Sequence, residues 1–244
     1  MQNTSALYKS ILSGNHTKEV CLDVYNSDGS VFVGRFGMNR LTSMTTSRGL
    51  LKDDGGFTIG CCIGGKISVS FYPLDDNNSD VKIPRMARIE PLVRLVPESG
   101  EKSEWIHKGI FYVDTRDENK PSGIVTLDGY DAMLKAEADF PVDRETEFPA
   151  SDKDVVDLIA ETIGVDVDSR VYNVVGGTHQ ISTPIGYSCR EVLSYIGMIN
   201  CCNFCISDEG KLLAFGVVGI SRPAYYLTDE LGNNITFGGA RIIV

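Results

Sequence analysis

The sequence predicts an α+β, β-rich chain. An antiparallel barrel or sandwich is expected over residues 1–145, and a smaller unit of two helices and a hairpin over residues 150–216. Three observations carry this reading. Short alternating apolar runs recur between Glu19 and Asp128, separated by loops of Pro, Gly, Asp and Asn. After Tyr130 the pattern changes to two segments with helical spacing, each opened by a capping signature. The chain has 244 residues, with 42% hydrophobic and 23% charged, which allows one large domain or two modest ones with a real core.

The elements follow in order. Residues 5–13 read as a short helix with Leu7, Ile11 and Leu12 on one face, ended by Gly14-Asn15. Glu19 to Tyr25 alternates as a strand, Asn26-Ser27-Asp28-Gly29 is a turn, and Val31-Phe32-Val33 resumes a strand. Phe57 to Ile63 reads as an apolar, glycine-rich strand, Gly64-Gly65 turns the chain, and Lys66 to Phe71 alternates cleanly. Asp75 to Asp80 is a polar loop. Ala87 to Val96, Trp105 to Asp114 and Gly123 to Asp128 are further strands. In them Trp105 and Phe111 are expected as core anchors, and Gly109 as a bulge or close-packing point. Asp114 and Arg116 are expected to pair across strands.

Asp131 to Ala138 reads as a helical turn capped by Asp131. Pro141 and Pro149 bracket a linker at a domain boundary. Ser151-x-x-Asp154 has capping-box spacing, with Asp in place of Glu, before a helix to Ile163 with Val155, Val156, Ile159 and Ile163 inward and Gly164 as its cap. Ser188-x-x-Glu191 opens a second helix lined by Val192, Leu193, Ile196 and Ile199. Phe204-Cys205-Ile206 and Leu212 to Phe215 flank a hairpin loop at residues 207–211. Residues 217–244 return to strand-like sequence, either rejoining the barrel or starting a further domain. They end on Ile242-Ile243-Val244, so the natural protein is expected to continue.

Charge and leader sequence narrow the class. The formal net charge of −10 disfavours sequence-independent binding to phosphate backbones and to anionic lipid. No apolar run approaches the roughly 20 residues of a spanning helix. Met1-Gln2-Asn3-Thr4-Ser5 lacks the basic and apolar regions of a signal peptide, so synthesis and folding in a cytoplasm are expected. The seven cysteines, Cys21, Cys61, Cys62, Cys189, Cys201, Cys202 and Cys205, are then expected as reduced thiols.

The chemical motifs are sparse. His16 sits in a turn, His107 in a strand beside Trp105, and His179 in a glycine-rich loop; none is four residues from a second histidine or a metal-binding glutamate. Cys202-x-x-Cys205 is a lone pair that enters a strand, whereas structural zinc needs a second pair and redox motifs open a helix. There is no GxSxG, GxxxxGK[ST], HExxH or helix-opening GxGxxG. Asp166-Val167-Asp168-Ser169 lacks the glycine and closing glutamate of a calcium loop. The sequence therefore assigns no catalytic, cofactor-binding or metal-ligating residue, and no enzyme activity is expected.

Several blocks together are more distinctive. They are Leu7-Tyr8-Lys9-Ser10-Ile11-Leu12, Ile83 to Ile89 with Val93-Arg94-Leu95, and Ser103-Glu104-Trp105-Ile106 with Gly109, Phe111 and Asp114-Thr115-Arg116. Leu127 to Met133, Tyr187 to Ile196 and Asp208 to Leu212 follow. In this order they resemble prophage tail proteins of Gram-positive hosts, the hub or tail-associated proteins that share the fold of contractile-phage baseplate hubs. The resemblance covers most of residues 5–215. It implies a tube-like antiparallel β-barrel domain, a peripheral α/β module, and a homotrimeric ring at the tail tip continuing the channel for DNA. It also implies contacts with distal tail protein, tape measure and fibre or spike, no specific nucleic-acid binding, no membrane association, and location in the virion tail. Family rings draw two tube-like domains from each chain, whereas this sequence shows one and the start of another. Two other classes fit a β-rich chain: a receptor- or carbohydrate-binding tail module, and the N-terminal part of a tail-associated cell-wall hydrolase. The first calls for several aromatics exposed in loops and the second for a convergent catalytic group, and the sequence displays neither.

Overall fold

The structure is a computed structural model that describes residues 4–49, 58–74, 77–142 and 147–216, with the backbone at 236–237 and 240–241. Its first half alternates strands with tight turns. A short helix, α1 (Ala6–Leu12), is capped by the Ser5 side chain, which accepts from the Tyr8 N–H. Strands β1 (His16–Tyr25), β2 (Phe32–Gly37), β3 (Leu41–Ser47), β4 (Cys62–Ile63), β5 (Lys66–Phe71), β6 (Arg88–Pro97), β7 (Ile106–His107), β8 (Phe111–Asn119) and β9 (Ile124–Tyr130) follow. Eight of these form one antiparallel sheet in the order β2-β1-β6-β8-β9-β5-β3, with β7 added beside β6.

The sheet curls around one core. Leu22 and Val24 of β1, Ile67, Val69 and Phe71 of β5, Ile89 of β6, Phe111 of β8 and Leu127 of β9 all point inward and are buried. Phe36, on the edge strand β2, packs against Phe71 with ring centroids 4.6 Å apart. That contact brings the two ends of the strand order towards each other, and three residues connect β2 to β3. Among the described residues no ladder joins β2 to β3. The antiparallel, β-rich α+β class read from the alternation is the class observed.

The second half builds another core. A 3₁₀ helix at Ala132–Glu137 follows β9. Then come β10 (Ala150–Ser151), α2 (Asp152–Ile163), a 3₁₀ turn at Ser169–Asn173, β11 (Gln180–Ile181), α3 (Cys189–Ile199), β12 (Cys202–Ile206) and β13 (Leu212–Gly216). Val155, Val156, Ile159 and Ile163 of α2 pack with Val192, Leu193 and Ile196 of α3, Phe204 and Ile206 of β12, and Leu212 of β13. Both capping signatures operate. Ser151 accepts from the Asp154 N–H at 3.2 Å, and at Ser188 both arms of the capping box are made. Gly164 ends α2 at φ 72°, where any side chain would be strained. A short ladder of β14 (Thr236–Phe237) with β15 (Ala240–Arg241) is the described part of residues 217–244.

Several expectations are corrected. Of the inward face expected for α1, only Ile11 is buried; Leu7 and Leu12 are exposed. Ile199 of α3 is likewise exposed. The strand expected at Phe57–Ile63 is reduced to β4, which pairs in parallel with β12 and so joins the second sheet, in the order β13-β12-β4. Ala132, Met133, Ala136 and Phe140, inside the expected range 1–145, pack into the second core. Strand β3 carries serines and threonines with only Leu41 and Met44 against the core, and the alternation reading passed over it. Phe57, Asp75 and Asp76 of the polar loop, linker residues 143–146 and the terminal Ile242-Ile243-Val244 lie outside the described residues.

Candidate functional site

Four neighbouring strands present a face that is open except at its Tyr112 end, which packs against the second core. Cross-strand partners share a face, so the register defines its content. Ser43, Thr45 and Ser47 of β3 lie opposite Ser70, Ser68 and Lys66 of β5. These lie opposite Thr126, Asp128 and Tyr130 of β9, which in turn pair with Asp117, Thr115 and Tyr112 of β8. The surface consists of short hydroxyls with one lysine, two aspartates and a pair of tyrosines; it carries no aliphatic side chain and no arginine. Hydroxyls bond along it, Ser70 Oγ to Thr126 Oγ1 at 2.8 Å, and the Lys135 ammonium lies 3.9 Å from the centre of the Tyr112 ring. A bulge between Val113 and Thr115 leaves Asp114 exposed. Gly129 keeps the ladder close at this point, since a Cβ there would stand 2.5 Å from the Tyr112 carbonyl oxygen. Arg116, expected to pair across strands, reaches Glu118 on its own strand at 3.6 Å, because the bulge shifts the register beside it.

On β1, β2 and β6 the outer face is instead covered. Asp23 is buried and receives two hydrogen bonds from Arg35, at 2.6 and 2.7 Å. Glu19 accepts from Arg94 at 2.8 Å and from Lys102 at 3.0 Å, and these two cations hold its carboxyl below the usual range. Buried Glu90 pairs with Arg88 and, at 3.2 Å, with His107 Nδ1. Trp105 lies over these charges: the Arg94 guanidinium is 4.3 Å from its ring centre and that of Arg35 5.9 Å. Trp105 is therefore half-buried on the sheet's outside rather than anchoring the core. Phe111 is the core anchor, as expected. Gly109, at φ 129°, packs closely against Arg48 and Phe111.

Between the two cores lies a cleft of about 280 Å³, where Arg48, Asp131, Arg170, Asp208 and Glu209 meet an apolar wall that includes Ile206 and Phe215. Asp131 is the buried acid within it. Its Oδ2 accepts from the Gly65 N–H at 2.6 Å and its Oδ1 from the Met133 N–H at 3.0 Å. Burial raises its pKa to about 6, against the opposing pull of those two N–H groups and of Arg48 and Arg190. Asp131 thus caps the 3₁₀ helix, as the sequence predicts, and also clamps the turn before β5. Arg48 pairs with Asp208, and Arg170 with Asp168 at 2.7 Å. Asp168 caps the 3₁₀ turn, and Arg170 holds its carboxyl down to about 2.

The thiols and histidines are dispersed. Cys202 and Cys205 are three apart in β12 and so face opposite sides of the strand; burial pushes both thiols up to about 12. Among the described residues no three His, Cys, Asp or Glu side chains group with metal-binding geometry. His16 Nδ1 lies 2.9 Å from the Gly14 carbonyl oxygen, His107 is on Glu90, and the His179 carbonyl accepts from the Asp152 N–H. Sequence reasoning missed the four-strand face because its defining strand, β3, carries only two apolar residues, Leu41 and Met44, and these are three apart.

No protein-family model and no curated protein sequence matches the chain. Solved structures do. The 43 kDa tail protein of prophage MuSo2 from Shewanella oneidensis superposes with a TM-score of 0.54 at 14% identity, over 91% of this chain and 62% of that one. The chain shares its fold with a prophage tail protein. It spans under two thirds of that protein's length. Weaker likenesses are to a half-lidded Francisella PdpA–VgrG complex (TM-score 0.46, 11% identity, 84% and 33% covered) and to a lidless PdpA–VgrG complex (0.44, 10%, 81% and 35%).

Proposed function

We propose that this chain is a structural component of a phage-type tail tip, a hub subunit that assembles into a trimeric ring and continues the tail-tube channel for DNA. The observation that carries this reading is the four-strand face of β3, β5, β9 and β8. An antiparallel sheet with one side on the core leaves its other side to solvent or to a partner, and on β1, β2 and β6 that side is taken up by ion pairs under Trp105. The four-strand face is left open, with short hydroxyls and a small excess of carboxylates. Such a surface sets one lysine against two aspartates and is otherwise uncharged, so it carries no cluster of cations to hold a phosphate backbone, which suits a wall past which DNA slides without release of counterions. The shared fold with a prophage tail protein supports the assignment of class.

On this reading the curled sheet is the tube-like domain and the α2–α3 unit the peripheral module. Neighbours in the tail would be a distal tail protein, the tape measure, and a fibre or spike. The role is one of assembly rather than catalysis: Asp131, the buried acid shifted towards neutrality among the described residues, is occupied by two backbone N–H groups. Light scattering over a concentration series tests the assembly. A trimer, or a mass that climbs to three chains with concentration, is expected. A mass that stays at one chain throughout contradicts ring formation by these residues.

A further inference from the structure

The outward side of α3 is apolar. Tyr195, Met198 and Ile199 stand three and four residues apart on it and are 48, 51 and 47% exposed. Ile185 and Tyr187, from the turn before the helix, are 73 and 42% exposed. The Tyr187 and Tyr195 rings meet edge to face, with centroids 5.6 Å apart. The core does not use these groups, since Val192, Leu193 and Ile196 already fill the inner face of the helix. Contiguous exposed tyrosines with aliphatic neighbours are the composition of interface centres.

The charge beside the tyrosines is one-sided. Residues 138–140 run alongside 187–189, with the Phe140 N–H donating to the Tyr187 carbonyl and the Cys189 N–H to that of Ala138, both at 2.9 Å. This sets exposed Asp139 opposite Ser188. Exposed Glu191 is one helical turn before Tyr195, and the Ser188 N–H and hydroxyl hold its carboxyl below the usual range, so it is charged at neutral pH. The adjacent cation is occupied: Arg190 Nε pairs with Glu137 at 2.9 Å, and its Nη2 donates to the Met133 carbonyl at 2.8 Å.

We propose that this face docks a segment of another protein carrying an apolar or aromatic side chain flanked by lysine or arginine. The apolar side chain seats against Tyr187, Tyr195 and Ile199, and the flanking cations meet Asp139 and Glu191. The same carboxylates disfavour an anionic membrane. The inference does not depend on the hub reading, because α3 belongs to the second core and not to the four-strand face.

The test is an amide NMR titration of the whole chain with two synthetic peptides, one with a central Leu-Phe pair flanked by lysines and one with glutamates in their place. The lysine peptide is expected to shift the amides of residues 185–199 and to lose affinity by about tenfold in Tyr195→Ala and in Asp139→Asn/Glu191→Gln, with added salt weakening it further. The glutamate peptide is expected to leave the spectrum unchanged. Equal shifts with both peptides, or none at these amides with either, would overturn the proposal. So would concentration-dependent shifts at the same amides without peptide that Tyr195→Ala removes, which assign the face to a second copy. Tyr195 is exposed, and the dispersion of the variant's spectrum reports its folding directly.

Discussion

Asp131 holds two main-chain N–H groups where water is excluded, and its raised pKa states what that costs. In the unfolded chain the carboxyl titrates in the ordinary aspartate range near 4; in the folded chain it titrates at about 6. Its favourable contribution is complete below pH 4, where both states are protonated, and is lost as pH rises to 6. A displacement of this size corresponds to about 3 kcal/mol. The stability of the natural chain minus that of Asp131→Asn should therefore fall by up to that amount between pH 4 and pH 7, measured from urea midpoints; a flat or rising difference contradicts the account. The capping role of Asp131 was legible in the sequence, because a short acceptor at a strand-to-helix junction has few other uses. Its clamp on Gly65 was not, because that contact spans 66 positions. Trp105 failed for a related reason. Alternation places it on a strand face, but which face is set by Arg35 and Arg94 arriving from two other strands.

At the scale of elements, local chemistry was the reliable guide. Both helices of the second core begin where Ser151 and Ser188 place them, and α2 ends at Gly164, since a cap is satisfied within three or four residues. Ser188→Ala should lower stability by about 1 kcal/mol, read as a smaller urea midpoint at an unchanged slope. A change in slope instead would mean that α3 unfolds as a separate unit. Strands depend on remote partners and were read less well. Lys66–Phe71 matched its alternation, whereas β3 escaped because its two apolar residues, Leu41 and Met44, stand three apart across a bulge and so break the period of two. The apolar stretch ending at Ile63 did contribute a strand, but to the other sheet. Ile199, Leu7 and Leu12 have helical apolar spacing yet face outward, because periodicity records a face and not what covers it.

For the whole molecule, the acidic charge gained meaning only once the fold showed where charge is absent. The open face of β3, β5, β9 and β8 is close to neutral and hydroxylated, while arginines and carboxylates concentrate under Trp105 and between the two cores. If that face lines a DNA channel, adding cations to it should cause retention. The double variant Ser68→Lys/Thr126→Lys changes two positions of that face on neighbouring strands and should bind duplex DNA in its assembled form, weakening steeply as salt rises, while the natural chain should not bind. Equal behaviour of the two would remove the wall assignment. The most direct measurement is a cryo-electron microscopy reconstruction of the assembled ring. The account predicts three copies with Ser43, Thr45, Ser68, Ser70 and Thr126 turned towards the central channel. A ring in which those residues face outward, with another surface lining the channel, would contradict it.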